Sequence, residues 1–290
     1  MDYTTVQQIG NDIILSNINH FDLAQTLDCG QAFRWASAGH HQYTGIAHGR
    51  RLDLELRDGN LILKNVTLPA FETTWKDYFD LGRSYGSLHH TFQNYDTLHH
   101  TFQNYDTLTK ALAFSPGLRL MGQDPWEMLV SFILSQNSNI PRIKKMIEAL
   151  AQNFGETLPC SGFAFPTAAA LAGLAESDLT IVRSGYRAAY ILDAAKQVAD
   201  GALDLAALGR QPTEDVRRAL LQVHGVGPKV ADCVLLFGFG RVECFPMDVW
   251  MKRVVAKLYP QGFPPALAPQ AGIAQQFLFH YARSHSSEFA

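Results

Sequence analysis

A lysine close to two glycines marks the segment with the clearest potential for chemistry. Gly225, Gly227, Pro228 and Lys229 lie in the sequence VHGVGPKVADC, at residues 223–233. The two glycines permit a tight hairpin between two helices, and Pro228 suits the first turn of the second helix. The exposed N–H groups of such a hairpin could bind a phosphate of a DNA strand. An ordinary αα-hairpin with a glycine turn would have the same pattern.

Lys229 would stand in the first turn of that second helix. The positive end of the helix dipole disfavours a charged amine there, which favours a free, nucleophilic form. Cys233 follows four residues later and therefore shares the same helix face. Taken without further context, a solvated surface lysine is the simpler interpretation.

Asp248 supplies that context. It precedes an apolar-periodic helix in the sequence FPMDVW, at residues 245–250, and has the position of an N-cap. The intervening chain is long enough to return to the start of the helix that carries Lys229. An amine and a carboxylate could then share a cleft, where the carboxylate would stabilise positive charge on a deoxyribose. Alternatively Asp248 is only a cap, although capping and catalysis are compatible.

These residues need a scaffold, and the chain predicts an α+β fold. We expect a small antiparallel β-rich N-terminal domain over residues 1–115 and a mostly α-helical domain with a helix-hairpin-helix over residues 116–290. Short apolar runs and turn signals at residues 49–50 and 58–60 predict strands. The predicted strands cover residues 13–15, 31–35, 43–47, 52–56 and 61–64. Capping and periodicity predict helices at 140–154 and 186–199, and helix starts at Pro125, Thr213, Pro228 and after Asp248.

The composition limits the possible functions. The 290 residues, 47% hydrophobic and 18% charged, are typical of a soluble globular protein of about two domains. Residues 1–6 lack a secretory signal and no apolar run is long enough for a membrane span, so a cytoplasmic, nucleoid-associated location is expected. The net charge of −3 weighs mildly against a nucleic-acid partner. The four cysteines lack C-x-x-C spacing, which argues against zinc and iron–sulfur sites.

The decamer LHHTFQNYDT occurs twice in succession, at residues 88–97 and 98–107. Two copies of ten residues are too few and too short for a solenoid. The duplication is therefore interpreted as an insertion in a surface segment, because loops tolerate added length. A metal site formed by its four histidines is disfavoured.

The sequence resembles the helix-hairpin-helix superfamily of DNA glycosylases, and within it the 8-oxoguanine DNA glycosylases that also cleave abasic sites. The segments GVGPKVADC and FPMDV carry this resemblance, which extends from about residue 11 to residue 285. Trp250 stands where eukaryotic relatives have a histidine, which looks like the bacterial branch. Four further segments fit the family, namely DCGQAFRW (28–35), SQNSNIPR (135–142), GYRA (185–188) and GIAQQFLF (272–279).

The resemblance implies how a flipped base would be bound. The carbonyl of Gly30 would accept a hydrogen bond from the N7–H that 8-oxoguanine has and guanine lacks. Gln275 would bind the Watson–Crick edge, while Phe279 and Cys233 would stack on the two faces of the base. Taken singly, Phe279 is more typical of a core side chain than of a base platform, and Gln275 is more typical of a solvated helix residue.

The resemblance also implies the remaining roles. Lys229 would be the nucleophile, and Asp248 would stabilise the sugar cation. A turn and a wedge would fill the gap left by the flipped base and bind the orphaned cytosine, through Asn137, Asn139, Arg142 and Tyr186. The hairpin residues that would bind phosphate are His224, Gly225, Val226 and Gly227.

The predicted function is excision of 8-oxoguanine opposite cytosine through a Lys229 Schiff base, followed by β-elimination at the abasic site. The expected partner is double-stranded DNA containing oxidised guanine, bound by a monomer without a cofactor. By resemblance alone, a monovalent cation could bind the hairpin carbonyls. One alternative is a glycosylase for another damaged purine, although such relatives typically lack the lysine. The other is a non-catalytic helix-hairpin-helix module that binds DNA but releases no base.

Overall fold

The structure is a computed structural model that describes residues 1–98, 106–159 and 161–289. An antiparallel sheet precedes a helical region, so the predicted α+β fold is confirmed. In the described residues the sheet has six strands in the order β1-β2-β6-β5-β4-β3. The strands are β1 (Thr5–Ile9), β2 (Asp12–Ser16), β3 (Trp35–Gly39), β4 (Gln42–Ala47), β5 (Arg50–Arg57) and β6 (Asn60–Lys64).

Two tight turns set the register of the central strands. Ala47 pairs with Arg50 and Arg57 pairs with Asn60, which leaves two-residue loops at 48–49 and 58–59. All four loop residues have positive φ, between 50° and 73°. Two-residue hairpin turns of type I′ need this conformation, which suits asparagine, aspartate and glycine. The turns predicted near residues 49 and 58, and the strands they join, are confirmed.

The predicted strand at residues 31–35 is wrong, because β3 begins only at Trp35. The Gln31 side chain is fully buried and donates to the carbonyl of Arg119 at 2.6 Å, while its own carbonyl oxygen accepts from the Met121 N–H at 3.0 Å. These contacts hold the preceding segment in an irregular conformation. Strand β1 was missed, since its residues are nearly all exposed and show no alternation.

The helices begin at most of the predicted positions. Asp124 caps α6 by accepting from Glu127 N–H at 2.9 Å, and the long α7 has the predicted bounds. The helices are α1 (Leu23–Leu27), α2 (Leu68–Ala70), α3 (Lys76–Tyr78), α4 (Tyr85–Leu98), α5 (Asp106–Phe114), α6 (Pro125–Ser135), α7 (Ile140–Phe154), α8 (Ala168–Ala172), α9 (Arg187–Ala199), α10 (Leu205–Leu208), α11 (Thr213–Leu220), α12 (Pro228–Phe237), α13 (Val249–Leu258) and α14 (Ala271–Ser284). Short 3₁₀ turns lie at Asp178–Val182, Pro265–Gln270 and Ser286–Phe289, and a π turn at Phe71–Trp75.

The sheet and the helical region each have a hydrophobic core. One packs beneath the sheet around Trp35 and Trp75, and the other fills the space between the helices from α4 to α14. Cys29 and Phe33, which lie in the segment between α1 and β3, join the helical core. Side chains of α4 and α5 also contribute to the helical core, although the predicted division after residue 115 groups these helices with the sheet. That division stays a prediction.

The duplicated decamer does not begin as a surface segment, and this part of the prediction is wrong. Its first copy lies in α4, where Leu88 is buried and Phe92 is fully buried in the helical core. The second copy ends in α5 with a buried Thr107, and the fully buried Leu108 follows it directly. Residues 99–105, with two of the four histidines, lie outside the described residues. In the part of the chain that is described, no cluster of metal-ligating side chains is found.

Arg119 ties the start of the chain to the beginning of α4. Its guanidinium is fully buried, pairs with the Asp2 carboxylate and donates to the carbonyl of Asp80 at 2.8 Å. Burial alone would raise the pKa of Asp2, but a hydrogen bond from Tyr85 N–H and the charge of Arg119 outweigh it and lower the pKa. The pair therefore stays ionised in the interior.

Removing one charge from this buried pair should destabilise the fold strongly. Arg119→Met leaves Asp2 buried without its counter-charge, so we expect a loss of about 3–5 kcal/mol in the free energy of unfolding. Urea unfolding at neutral pH measures it. Arg218→Ala, which breaks an exposed pair with Asp215 at 3.1 Å, is the control and should cost less than about 1 kcal/mol. Equal losses in the two variants would contradict the interpretation.

Candidate active site

The predicted catalytic and base-binding residues line one cavity of about 240 Å³. The walls come from α6, α7, α12, α14 and the irregular segment before β3. Two helix N-termini, those of α12 and α13, reach the same cavity. The predicted residues that line it are Gly30, Asn139, Lys229, Cys233, Asp248, Gln275 and Phe279.

Lys229 extends into this cavity from the first turn of α12. Its ammonium nitrogen donates to Ser135 Oγ at 3.0 Å and lies 5.1 Å from the centre of the Phe132 ring. The side chain is only partly exposed. The interpretation of Lys229 as a solvated surface residue is therefore wrong.

Asp248 caps α13 and lines the same cavity. Its Oδ1 accepts from the Met251 N–H at 2.8 Å, as expected for an N-cap. One carboxylate oxygen is thus held by the backbone, and the residue also borders a second, open cleft of about 660 Å³. Capping fixes the position of the carboxylate at the cavity and is compatible with a chemical role.

Cys233 forms an apolar part of the wall of the same cavity. Burial raises the pKa of its thiol to about 11, and the Asp248 carboxylate raises it further while nearby Lys229 lowers it. The thiol is consequently neutral at physiological pH. The amine, the thiol and the carboxylate all border the same cavity.

Gln275, which also lines the cavity, has a buried amide oxygen with no hydrogen-bond partner. Gln275 is buried, and its Nε2 donates to the carbonyl of Pro246 at 3.3 Å, which leaves Oε1 unpaired. Such an acceptor is costly unless a ligand pairs with it. Gly30 has φ +99°, and a Cβ there would lie 2.7 Å from Ile140 and 3.5 Å from Phe279. A side chain at position 30 would therefore intrude on the cavity.

The asparagine-containing turn between α6 and α7 stands beside the cavity mouth. Asn137 is exposed with φ +45°, and Asn139 caps α7 by accepting from the Arg142 N–H at 3.0 Å. The side chains of Asn137, Asn139 and Arg142 line the open cleft that Lys229 and Asp248 also border.

Arg187 holds that turn in place. It is buried and donates through Nε to the carbonyl of Gln136 at 2.8 Å and through Nη2 to that of Asn137 at 3.1 Å. Its guanidinium also lies 4.6 Å from the ring centre of Tyr186, whose side chain is 53% exposed. Tyr186 does not line the cavity, but Arg187 connects it to the turn.

The glycine hairpin lies next to the same turn. Gly225 has φ +81°, and its carbonyl accepts from Gln136 Nε2 at 3.0 Å. The backbone N–H of His224 donates to Asp193, Val226 is buried, and Gly227 caps α12. Cation binding at the hairpin carbonyls stays a prediction.

Comparison with known proteins identifies the family. The model of the 8-oxoguanine DNA glycosylase N-terminal domain matches residues 13–129, and that of the HhH-GPD superfamily of base excision DNA repair proteins matches residues 130–262. An N-glycosylase/DNA lyase of Saccharomyces cerevisiae is 34% identical over 84% of this chain and 69% of its own length.

Solved structures agree over almost the whole chain. The 8-oxoguanine glycosylase/lyase of Clostridium acetobutylicum, bound to double-stranded DNA with cytosine opposite 8-oxoguanine, has a TM-score of 0.88 at 31% identity. The match covers 99% of this chain and 100% of the Clostridium acetobutylicum chain. A structure of MBOgg1 with a low-affinity DNA ligand has a TM-score of 0.89 at 38% identity over 99% and 100% of the two chains.

This chain belongs to the 8-oxoguanine DNA glycosylase/DNA lyase family. It is a base excision repair enzyme with glycosylase and DNA lyase activity, and the alternative of a non-catalytic DNA-binding module is wrong.

Sequence reasoning missed several side chains that support the site of this glycosylase. Ser135 and Phe132 position the lysine, and Arg187 holds the turn. Gln276 is buried and donates to Cys29 Sγ at 3.2 Å. Ser135 and Arg187 lie inside the recognised segments, so only their function was overlooked. In the sequence, the available signal for Gln276 was a pair of adjacent glutamines within an otherwise apolar helical segment.

The hairpin of this glycosylase offers a matched pair of glycine substitutions. A Cβ at Gly225 would lie 2.3 Å from the Tyr190 ring and the φ is positive, whereas at Gly227 nothing lies within 4 Å. We expect Gly225→Ala to lower the free energy of unfolding by about 2–4 kcal/mol. Gly227→Ala should change it by less than about 1 kcal/mol. Urea unfolding compares them, and equal stability would contradict the described hairpin.

Proposed function

We propose that the enzyme excises 8-oxoguanine paired with cytosine, with Lys229 as the nucleophile and Asp248 as the group that stabilises the sugar cation. The observation that carries the proposal is that both side chains line one cavity together with the base-binding candidates. The related enzyme of Clostridium acetobutylicum was solved with this lesion and this opposite base. The cavity can therefore be interpreted with a specific nucleotide in mind.

The proposed reaction begins with displacement at the sugar. After the Lys229 ammonium group has lost one proton to solvent, the lone pair of Nζ forms a bond to C1′, the N-glycosidic bond breaks, and its electron pair leaves with the base. A proton lost from the attacking nitrogen balances the one that the departing base takes up. The fixed Asp248 carboxylate lowers the energy of the positive charge that develops on the sugar.

Strand cleavage follows from the same covalent bond. The sugar ring opens to give a Schiff base between Nζ and C1′, which acidifies the C2′ protons. Loss of one of them expels the 3′ phosphate by β-elimination. Hydrolysis of the imine then regenerates the amine.

Recognition of the base rests on the two walls of the cavity. The unpaired Oε1 of Gln275 is an acceptor suited to the N–H donors on the Watson–Crick edge of the purine. Cys233, neutral because burial raises its pKa, and the partly buried Phe279 offer apolar surfaces for the two faces. Gly30 lies between Ile140 and Phe279, where its carbonyl would accept from N7–H.

The opposite strand is assigned to the turn and the wedge. Asn137, Asn139 and Arg142 would fill the space left by the flipped nucleotide and bind the orphaned cytosine, and Tyr186 would insert beside it. The exposure of all four side chains, and the position of Asn137, Asn139 and Arg142 at the open cleft, support this assignment. Within the hairpin at residues 224–227, the N–H groups of Gly225 and Gly227 would hold a phosphate, since those of His224 and Val226 already donate within the protein.

The partner follows from the same assignment. We propose double-stranded DNA carrying oxidised guanine as the substrate, bound by a monomer in the cytoplasm. Within the described residues, no helix combines the length and apolarity that a membrane crossing requires.

Replacing the nucleophile should abolish both chemical steps. Lys229→Gln should slow release of 8-oxoguanine and strand cleavage by more than about a thousandfold, because no amine remains to form the covalent intermediate. Single-turnover assays on an 8-oxoguanine·cytosine duplex measure this, with binding followed separately. Lys196→Gln, an exposed residue of α9, is the control. A Lys229→Gln variant that still releases base at the rate of the control would overturn the assignment. A wild-type enzyme that releases an alkylated purine but not 8-oxoguanine would support the rival substrate.

Neutralising Asp248 without removing its cap tests the electrostatic role. Asn is as good an N-cap as Asp, so Asp248→Asn should keep the bond to Met251 N–H and the stability of α13. Base release should nevertheless slow by about 10²–10³-fold, because the sugar cation loses its counter-charge. Single-turnover rates and thermal unfolding are measured together. A wild-type rate at wild-type stability would show that Asp248 is only a cap.

A further inference from the structure

A group of cations that the catalytic cavity does not use lies on the far side of the turn. Arg142 and Lys145 project from α7, and Arg183 follows the 3₁₀ turn at Asp178–Val182. All three line a cleft of about 630 Å³ and are exposed. We call Lys145 and Arg183 the basic rim.

The basic rim has no internal counter-charge. Among the described residues, neither cation forms an ion pair or a side-chain hydrogen bond, although the neighbouring Lys144 pairs with Asp28 at 2.8 Å. The nearby Asp178 carboxylate accepts from the Ala175 N–H at 2.8 Å instead. Two unpaired cations are thus concentrated on one face of a chain whose net charge is −3.

The backbone of Arg183 is unusual. Its φ of 57° and ψ of 34° place it in the left-handed region, which glycine adopts without cost and other residues adopt at about 1–2 kcal/mol. The chain has an arginine where glycine would be more stable. A strained residue of this kind is a reason to look for a function of its side chain.

The position of the rim indicates which part of DNA it would meet. Arg142 borders both this cleft and the one that contains Lys229 and Asp248, so the turn separates the two. Arg183 also stands three residues before the exposed Tyr186. If the turn fills the duplex beside the damaged strand, the cleft beyond it faces the undamaged strand.

We infer that Lys145 and Arg183 bind phosphates of the undamaged strand, on the side of the turn away from the cavity. The inference rests on the proposed function, since that function sets which strand enters the cavity. Each phosphate contact releases counterions, so these contacts contribute affinity that falls steeply as the salt concentration rises. They also hold the undamaged strand in place while the lesion in the other strand leaves its pairing partner.

The salt dependence of binding tests the number of contacts. In the variant Lys145→Ala/Arg183→Gly, glycine suits the backbone and removes the charge. The slope of log K against log salt on duplex DNA should become shallower by about 1.8, or roughly 0.9 per phosphate. The control Lys196→Ala/Arg210→Gly removes the same charge from exposed positions outside the clefts and should keep most of the slope. Equal slopes for the two double variants would overturn the inference.

Uncharged methylphosphonates, which replace single phosphates, identify the strand that the basic rim binds. Methylphosphonates placed near the orphaned base in the undamaged strand should weaken binding of the wild type about tenfold or more, but should not weaken the rim variant further. The same groups in the damaged strand should weaken both proteins alike. A rim variant that stays as sensitive as the wild type to neutralisation of the undamaged strand would contradict the inference. Base release by the wild type is measured on the unmodified duplex, so failure of the proposed function is seen separately.

Discussion

The site depends on holding an amine and a carboxylate in one largely apolar cavity. Burying either charge alone is costly, so each needs a partner fixed by the fold. Lys229 has Ser135 Oγ at 3.0 Å, and Asp248 has the Met251 N–H at 2.8 Å. The N-termini of α12 and α13 therefore determine where both groups stand, and the packing of those helices maintains the spacing between them.

The elements around this pair are connected by a few hydrogen bonds. Gln136 links the turn after α6 to the Gly225 carbonyl of the hairpin, and Arg187 links the same turn to the start of α9. The turn, the hairpin and the exposed Tyr186 consequently form one continuous support beside the cavity. A duplex bound by the hairpin would be presented to the turn without rearrangement of the helices, which is how a fixed scaffold can favour extrusion of one nucleotide.

Local sequence was sufficient for features with local causes. The bounds of α7 and the caps Asp124 and Asp248 follow from periodicity and hydrogen bonds within three residues. Features with distant causes could not be predicted in this way. The segment after Gly30 is irregular because Gln31 bonds to residues about ninety positions later, and Arg187 supports a turn fifty positions earlier. The residues that surround Lys229 were recognised from their segments, but Ser135 needed the folded structure.

The most direct test of the paired amine and carboxylate is the site of covalent attachment. The wild-type enzyme is mixed with an 8-oxoguanine·cytosine duplex in the presence of borohydride, which reduces the Schiff base to a stable amine. Digestion and mass spectrometry then locate the modified residue. The account predicts that the sugar remnant is attached to Lys229 in the peptide that spans the start of α12. Attachment to any other lysine, or to the terminal amine, would contradict it.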